Sequence, residues 1–384
     1  MQFFVFLLLI ITCIYAVLII SLLVGWFRIK EFKSNKCSKK LKLSIIIPFR
    51  NEAENLPDLL LSLSDIDYPK TYFEIILVND ESEDNSLQVC HHFKQTHPEM
   101  LISVINNNRK TNSPKKDALA TAIDSARFEY IITTDADCVV PTLWLQSFNE
   151  KIIETGATMI AAPVSFFSTK FNNEKFLNYL VAFQELDFMG LQAAGIGGFG
   201  LKKPFLCNGA NLCYEKKAFY AVEGFQGNSN ISSGDDVFLL QKFKELNYPV
   251  CFLKSEQAIV YTKPQASLQT LFSQRIRWAA KTTAYKSVFA KLIGLSVLLV
   301  NLFLGIGLIL ALLNEVNYEF VLFSFLIKFL VDLALLYYSA AFFRKKTMLS
   351  HYLWCSLLYP FFSTMVAILS LFSGFEWKGR SFKK

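Results

Sequence analysis

The stretch YIITTDADCVV, residues 130–140, ends an apolar, β-prone run with two carboxylates, Asp135 and Asp137, separated by one alanine. A strand-end Asp is ordinary turn chemistry, because its side chain bonds nearby backbone. Two Asp at i and i+2 can converge on one point, where like charges disfavour each other. A hard divalent cation removes that conflict, and Mg²⁺ usually takes one or two carboxylates together with phosphate oxygens. The stretch is therefore either a turn or a metal site for a phosphorylated ligand, and its neighbours must separate the two.

Upstream, strand and helix patterns alternate. LSIIIPF (residues 43–49) and FEIILVND (residues 73–80) are short apolar runs of the type buried on both faces of a parallel sheet. Asn51 with Glu54 predicts a capped helix over residues 52–63. SEDNSLQVCHHFKQT, residues 82–96, begins polar and continues as a helix, with His91, His92 and His97 towards its exposed end. LISVINN (residues 101–107) is a further strand, and SPKKDALATAIDSA (residues 113–126) opens with a helix-start signature. Repeated alternation predicts an α/β domain with a mainly parallel sheet. In such sheets ligands bind at the carboxyl ends of strands. PFRNE, NDESEDNS and TDADC all fall there. No GxxxxGK[ST] or GxGxxG occurs at these turns, which excludes the P-loop and dinucleotide fingerprints.

The 384 residues are 53% hydrophobic and include 37 Phe, and the excess lies at the two ends. Residues 3–27 carry no charge and are long enough to span a bilayer. They lack the basic start and the A-x-A site of a cleaved signal peptide. The basic flank RIKEFKSNKCSKKLK, residues 28–42, places the following domain in the cytoplasm by the positive-inside rule. Three more apolar runs cover residues 288–313, 320–342 and 349–372. Their links, acidic NEVNYE and basic FFRKKT, agree with that orientation, whereas the basic tail EWKGRSFKK does not. Pro360 permits a broken or re-entrant last segment. The net charge of +7 sits beside these segments and signals topology, not a nucleic-acid partner. Eight scattered Cys without a CxxC pair fit a reduced compartment, and the four His form no metal-binding pattern.

Six segments in order carry a family resemblance: SIIIPFRNEAENL, LVNDESEDNS, KDALATAIDSARFEYIITTDADCVVPTLWL, CNGANLCYEKKAFYAVEGF, SSGDDVFLLQKFKELNYPV and QRIRW. Over about residues 43–278 the chain resembles membrane-bound inverting glycosyltransferases of family 2, which have a GT-A fold. That resemblance implies roles. Pro48, Arg50, Glu52, Asp80, Lys115, Asp135 and Gly209 would line the nucleotide-sugar site. Asp135 and Asp137 would hold Mg²⁺ or Mn²⁺ on the diphosphate. Asp236 would be the base that deprotonates the acceptor hydroxyl, with Asp235 beside it. Gln274, Arg275, Arg277 and Trp278 would meet acceptor or diphosphate. Lys115 or Lys116 either contacts phosphate or forms a solvated pair. SSGDD is also good capping and dipole chemistry for a helix start, and the two readings are compatible. The apolar, glycine-rich AGIGGFG, residues 194–200, reads as a mobile loop beside membrane or acceptor. Asn79 replaces the first of the usual two aspartates, and Arg50 stands where the family often has Tyr. Both departures lie on the nucleotide side and leave the base open; a UDP-sugar is expected first and a GDP-sugar second.

The expected organisation is a membrane helix (residues 1–27), a basic linker (28–42), a cytoplasmic GT-A domain (43–270), an interfacial amphipathic helix (271–287), three membrane segments (288–373) and a basic tail (374–384). The expected function is transfer of a sugar from a nucleotide-diphospho-sugar to a lipid or glycan acceptor, by an integral protein of the inner (cytoplasmic) membrane. A processive polysaccharide synthase and a non-catalytic membrane scaffold of the same fold are the alternatives.

Overall fold

A computed structural model describes all residues except 36–37, 168–174, 229–232, 282–283, 373–374, 378–379 and 383–384. Cys37, the end of the expected membrane region and parts of the tail lie outside the described residues. The chain divides into two compact units, one of Lys30–Phe167 and Cys207–Lys263, the other of Met1–Ile29, Ser168–Leu206 and Pro264–Lys384.

The first unit is built on a seven-stranded sheet of order β3-β2-β1-β4-β7-β5-β8. Its strands are β1 (Leu43–Phe49), β2 (Phe73–Asn79), β3 (Leu101–Asn106), β4 (Tyr130–Thr133), β5 (Met159–Ala161), β7 (Leu212–Glu215) and β8 (Val250–Phe252). β1 pairs in parallel with both β2 and β4, and β2 with β3. β7 is antiparallel to β4 and β5, so the sheet is mainly parallel with one reversed strand. The apolar runs earn the centre of the sheet: Leu43, Ile45, Ile46 and Ile47 are wholly buried, as are Ile75 and Leu77 opposite them. β6 (Val164–Phe166) and β9 (Val260–Thr262) form a separate parallel pair. Among the described residues six α-helices belong to the unit: α2 (Leu56–Ser64), α3 (Ser86–Thr96), α4 (Pro114–Ser125), α5 (Trp144–Thr155), α7 (Lys216–Ala221) and α8 (Asp235–Glu245). The chain runs outward from β1 to β3 and then returns to the other side of β1 as β4. That reversal is a topological switch point, where such sheets bind ligands.

One helix start differs from expectation. Asn51 does not cap a helix; its backbone is left-handed at φ 51°, and α2 begins at Leu56 after Asn55. Pro57 in the first turn favours the later start, since its missing N–H needs no partner there.

The second unit is helical: α1 (Gln2–Arg28), α6 (Lys175–Gly200), α9 (Leu268–Ala280), α10 (Val288–Leu312), α11 (Tyr318–Phe342) and α12 (Tyr352–Phe372). A backbone hairpin, β10 (Phe375–Trp377) with β11 (Arg380–Phe382), follows. Among the described residues four helices are long and apolar enough to cross a membrane: α1, α10, α11 and the segment Lys346–Phe372. Pro360 does not break the last of these, because α12 continues through it. Residues 194–200 are not a loop. They form the last turns of α6, which packs along α1. The reason is steric: a Cβ on Gly197 would lie 2.4 Å from the Leu22 carbonyl oxygen, and one on Gly200 would lie 1.9 Å from that of Gly25. Only glycine lets the two backbones come so close. α6 therefore clusters with the long apolar helices, and the sheet unit is interrupted within the expected 43–270 range.

Candidate active site

The carboxyl ends of β2, β1 and β4 stand side by side. Asp80 N donates to Phe49 O at 2.9 Å and Thr134 N to Ile46 O at 3.3 Å, so pairing persists just past the strand ends. Asp80 is 4% exposed. Its Oδ1 accepts from Asn107 Nδ2 at 2.7 Å, and the same amide donates to Pro114 O at 3.0 Å. Asn107 Oδ1 is buried without a partner. No sequence pattern singles out Asn107, which lies in the polar run after β3, yet it fixes the Asp80 carboxylate.

Pro48 and Arg50 reach the same edge. Pro48 sits half-buried opposite Val78. Arg50 bonds the loop after β2. Its Nη1 donates to Asp80 O at 3.0 Å and to Glu81 O, and its Nη2 pairs with Glu83 at 2.8 Å. The guanidinium thus ties the loop after β1 to the loop after β2. Glu52 is buried; its backbone N donates to Ser86 Oγ at 2.7 Å and its carboxylate accepts from Asn55 Nδ2 at 2.6 Å. It fastens the first loop to the start of α3.

After β4, Cys138 N donates to Asp135 O at 3.2 Å and closes the DAD turn. Val139 then exchanges backbone bonds with Tyr261 at 2.8 and 2.9 Å, which anchors the far side of the turn. Lys115, in the first turn of α4, reaches this turn. Its Nζ lies 2.6 Å from Asp135 Oδ1 and 3.7 Å from Asp235 Oδ2. Burial works against the ammonium, but Asp135, Asp235 and Asp236 outweigh it and hold the lysine well above its ordinary pKa. Lys116 is not a solvated partner. It is buried, donates to Asn228 O at 2.7 Å, and lies 5.2 Å from the Phe238 ring centre.

Asp235 and Asp236 open α8. Asp236 Oδ2 accepts from Gly209 N at 3.1 Å and its Oδ1 from Val237 N at 2.7 Å. Gly209 is held in turn through Thr133, whose Oγ1 donates to Gly209 O at 2.6 Å. A Cβ on Gly209 would stand 3.0 Å from Asp235 Oδ2, tighter than nearly all such contacts. The glycine is therefore what lets this backbone approach the two carboxylates. Lys115, Asp135, Gly209, Asp235 and Asp236 form one cluster.

The residues fit a hard cation of the Mg²⁺ or Mn²⁺ type. The donors are oxygen, and a cationic ammonium already bridges Asp135 and Asp235. Asp137 follows in the same turn, with Cys138 Sγ 3.6 Å from its Oδ1. Among the described residues no three His, Cys, Asp or Glu side chains form a closed metal cage. Two carboxylates completed by phosphate oxygens match what Mg²⁺ accepts.

QRIRW lies on α9, in the helical unit. Arg275, not one of the fixed letters of QxxRW, is the buried one. Its Nε donates to Asp187 Oδ2 of α6 at 2.7 Å and its Nη1 to Gln274 at 2.5 Å, while its guanidinium carbon lies 4.3 Å from the Trp278 ring centre. Asp187 and Glu185 escaped the sequence reading, although acidic residues inside an apolar helical stretch were the available signal.

Residues 44–207 match the family described as Glycosyl transferase family 2, and residues 130–375 match Glycosyl transferase family group 2. A poly-beta-1,6-N-acetyl-D-glucosamine synthase of Staphylococcus epidermidis is 34% identical over 98 residues, which is 26% of this chain and 22% of that protein. The glycosyltransferase AglE of Haloferax volcanii is 25% identical over 124 residues, 32% of this chain and 40% of AglE. The chain thus matches less than half of the length of these relatives. Among solved structures, the mannosyltransferase PcManGT from Pyrobaculum calidifontis, in complex with GDP-Man and Mn²⁺, superposes with a TM-score of 0.58 at 15% identity, covering 95% of this chain and 99% of that one. That likeness establishes the GT-A fold.

Proposed function

We propose what this chain does from one premise: it belongs to glycosyl transferase family group 2 and is a glycosyltransferase. The activity is inverting transfer of a sugar from a nucleoside-diphospho-sugar to a hydroxyl on a lipid or other membrane-associated acceptor. The observation that supports it best is the convergence of Lys115 on Asp135 and Asp235, beside Gly209 and Asp236, at the switch point of the sheet.

Asp80, held by Asn107, accepts hydrogen bonds from the base or ribose of the donor. Lys115 is long and cationic and meets the diphosphate. When bound at Asp135 and Asp137, Mg²⁺ or Mn²⁺ would offset charge on the leaving diphosphate. Asp236 takes the proton of the acceptor hydroxyl as its oxygen bonds the anomeric carbon; the bond to the diphosphate breaks and its electron pair leaves with the phosphate oxygen. Two backbone N–H groups orient this carboxylate, and Asp235 shares the cluster. Gln274, Arg277 and Trp278 are assigned to acceptor or diphosphate contact. Arg275, committed to Asp187, positions α9 instead.

The donor is a UDP-sugar first and a GDP-sugar second. α1, α10, α11 and α12 cross the cytoplasmic membrane, and the basic flanks of residues 28–42 and 342–347 keep the sheet unit in the cytoplasm. The synthase relative favours processive polymerisation as a second reading. Purified protein with native lipid extract, a panel of nucleotide sugars and Mn²⁺ or Mg²⁺ tests both. Diphosphate release with one sugar added to a lipid supports the first. A ladder of sugars supports the second. Donor binding without transfer to any added lipid or glycan overturns both.

A further inference from the structure

The helical unit holds a half-open cavity of about 200 Å³. It is larger than the ~150 Å³ apolar void that takes up benzene in other proteins. α1, α6, α10, α11 and α12 all contribute, and most of the wall is apolar, with Leu22, Leu186 and Leu335 typical of it. One patch of the wall is not. Lys328 and Asp332 on α11 form an ion pair at 2.6 Å, and Tyr15 of α1 donates to the other oxygen of Asp332 at 2.6 Å. Tyr359 and Asp187 line the same cavity. Asp187 is neutralised from behind by Arg275 at 2.7 Å. The Lys328 side chain is 4% exposed, and its Nζ lies 5.7 Å from the Tyr15 ring centre and 5.4 Å from that of Tyr359.

Charged residues inside membrane helices are expensive and mark binding sites or pathways. Here both carboxylates already face a cation, so the patch is neutral as a whole. Among the described residues that line the cavity the one cation, Lys328, is already paired with Asp332, so an anionic head group would add charge beside Asp332 and Asp187. An uncharged oxygen suits the patch. It can accept from the ammonium, and a hydroxyl can donate to a carboxylate. We infer that this cavity binds the head and first carbons of a neutral, hydroxyl-bearing lipid, a diacylglycerol or long-chain alcohol, with the head at Lys328, Asp332 and Tyr359 and the rest of the chain leaving through its open side.

The inference rests on the four helices crossing a membrane, and its test needs no sugar donor, so it fails separately from the transferase reading. The full chain in detergent is exposed to dioctanoylglycerol carrying a photoreactive acyl chain, and labelled peptides are mapped. A phosphatidic acid with the same chains and a long-chain alcohol with the same group are run alongside. The expected result is labelling of α1 and α11 peptides that line the cavity, competed by unlabelled dioctanoylglycerol, and at least about tenfold weaker with phosphatidic acid, since a buried charge would go unpaired. The alcohol arm separates the two neutral sources. Gly190→Leu fills the space from α6, where a Cβ meets only Leu336 Cδ2 at 3.8 Å, and should abolish the competed labelling. Equal labelling by phosphatidic acid, labelling that survives in folded Gly190→Leu, or wild-type labelling confined to outward residues such as Phe3 and Leu330 without competition would each overturn the inference.

Discussion

The ammonium of Lys115 lies 2.6 Å from Asp135 and 3.7 Å from Asp235, so one side chain of α4 ties the turn after β4 to the start of α8. Lys115→Met removes the bridge and leaves carboxylates facing each other. Because Asp135 is partly exposed, the loss in metal-free protein should be about 1 kcal/mol. Mn²⁺ should then raise the melting temperature of the variant more than that of the wild type. Equal Mn²⁺ shifts in thermal unfolding would separate the lysine from the metal site.

Asp236→Asn should lower kcat by about 10²–10⁴. Donor affinity should stay within a factor of about three, because a base acts on the acceptor and not on donor binding. Isothermal titration with the donor and single-turnover transfer measure the two quantities. A variant that keeps more than about a tenth of the rate has lost under roughly 1.4 kcal/mol and rules Asp236 out as base.

Asn107→Ala should act through Asp80. The carboxylate loses its 2.7 Å donor, and a hydrogen bond to a charged group is worth about 1.5 kcal/mol or more. A rise in donor KM of about tenfold at nearly constant kcat is expected. A fall in kcat with KM unchanged would contradict the assignment of Asp80 to donor binding.

Gly197→Ala should destabilise the helical unit by about 1–3 kcal/mol through overpacking, because its Cβ meets backbone at 2.4 Å. Gly294→Ala on α10 meets nothing within 4 Å and should be neutral, or stabilising by up to about 1 kcal/mol. Melting in detergent compares the pair directly; similar effects would show that the α1–α6 crossing tolerates a side chain.

Glu185 and Lys345 form a buried ion pair in the helical unit. Burial raises the Glu185 carboxyl pKa, against the opposing pull of Lys345. A raised folded-state pKa contributes stability that is present at low pH and lost as pH rises through it. Lys345→Met removes the opposing pull. Its destabilisation, about 3–5 kcal/mol for a stranded charge, should be largest at neutral pH and shrink as acid protonates Glu185. Melting curves at pH 5 and pH 8 test the sign.

The parallel core was legible because β1 and β2 are short runs of buried Ile, Leu and Val closed by polar loops, a pattern that depends only on local sequence. Asp80, Asp135, Asp235 and Asp236 were legible for a related reason: each is a charge placed at the end of an element. The bonds of Arg50 to Asp80, Glu81 and Glu83 were not legible, because these partners come from another loop and no spacing announces them. Asn107 was missed likewise, since its meaning comes from Asp80 across the β2–β3 pair. The end of α6 was misread because Gly-rich sequence suits loops, whereas close packing of two helices uses glycine for an unrelated reason.

The glycine crossing of α1 and α6 also sets an order of assembly. Gly25 emerges from the ribosome about 170 residues before Gly197. At ~5–20 residues per second, α1 waits roughly 10–30 s for its helical neighbour. The backbone groove of Gly25 stays without its α6 partner during that time, and the first part of the sheet unit, Lys30–Phe167, is synthesised within the same interval, whereas Cys207–Lys263 follows Gly197. Docking of α6 comes only then, so closure of the first helix against its partner becomes a late event in the making of this protein.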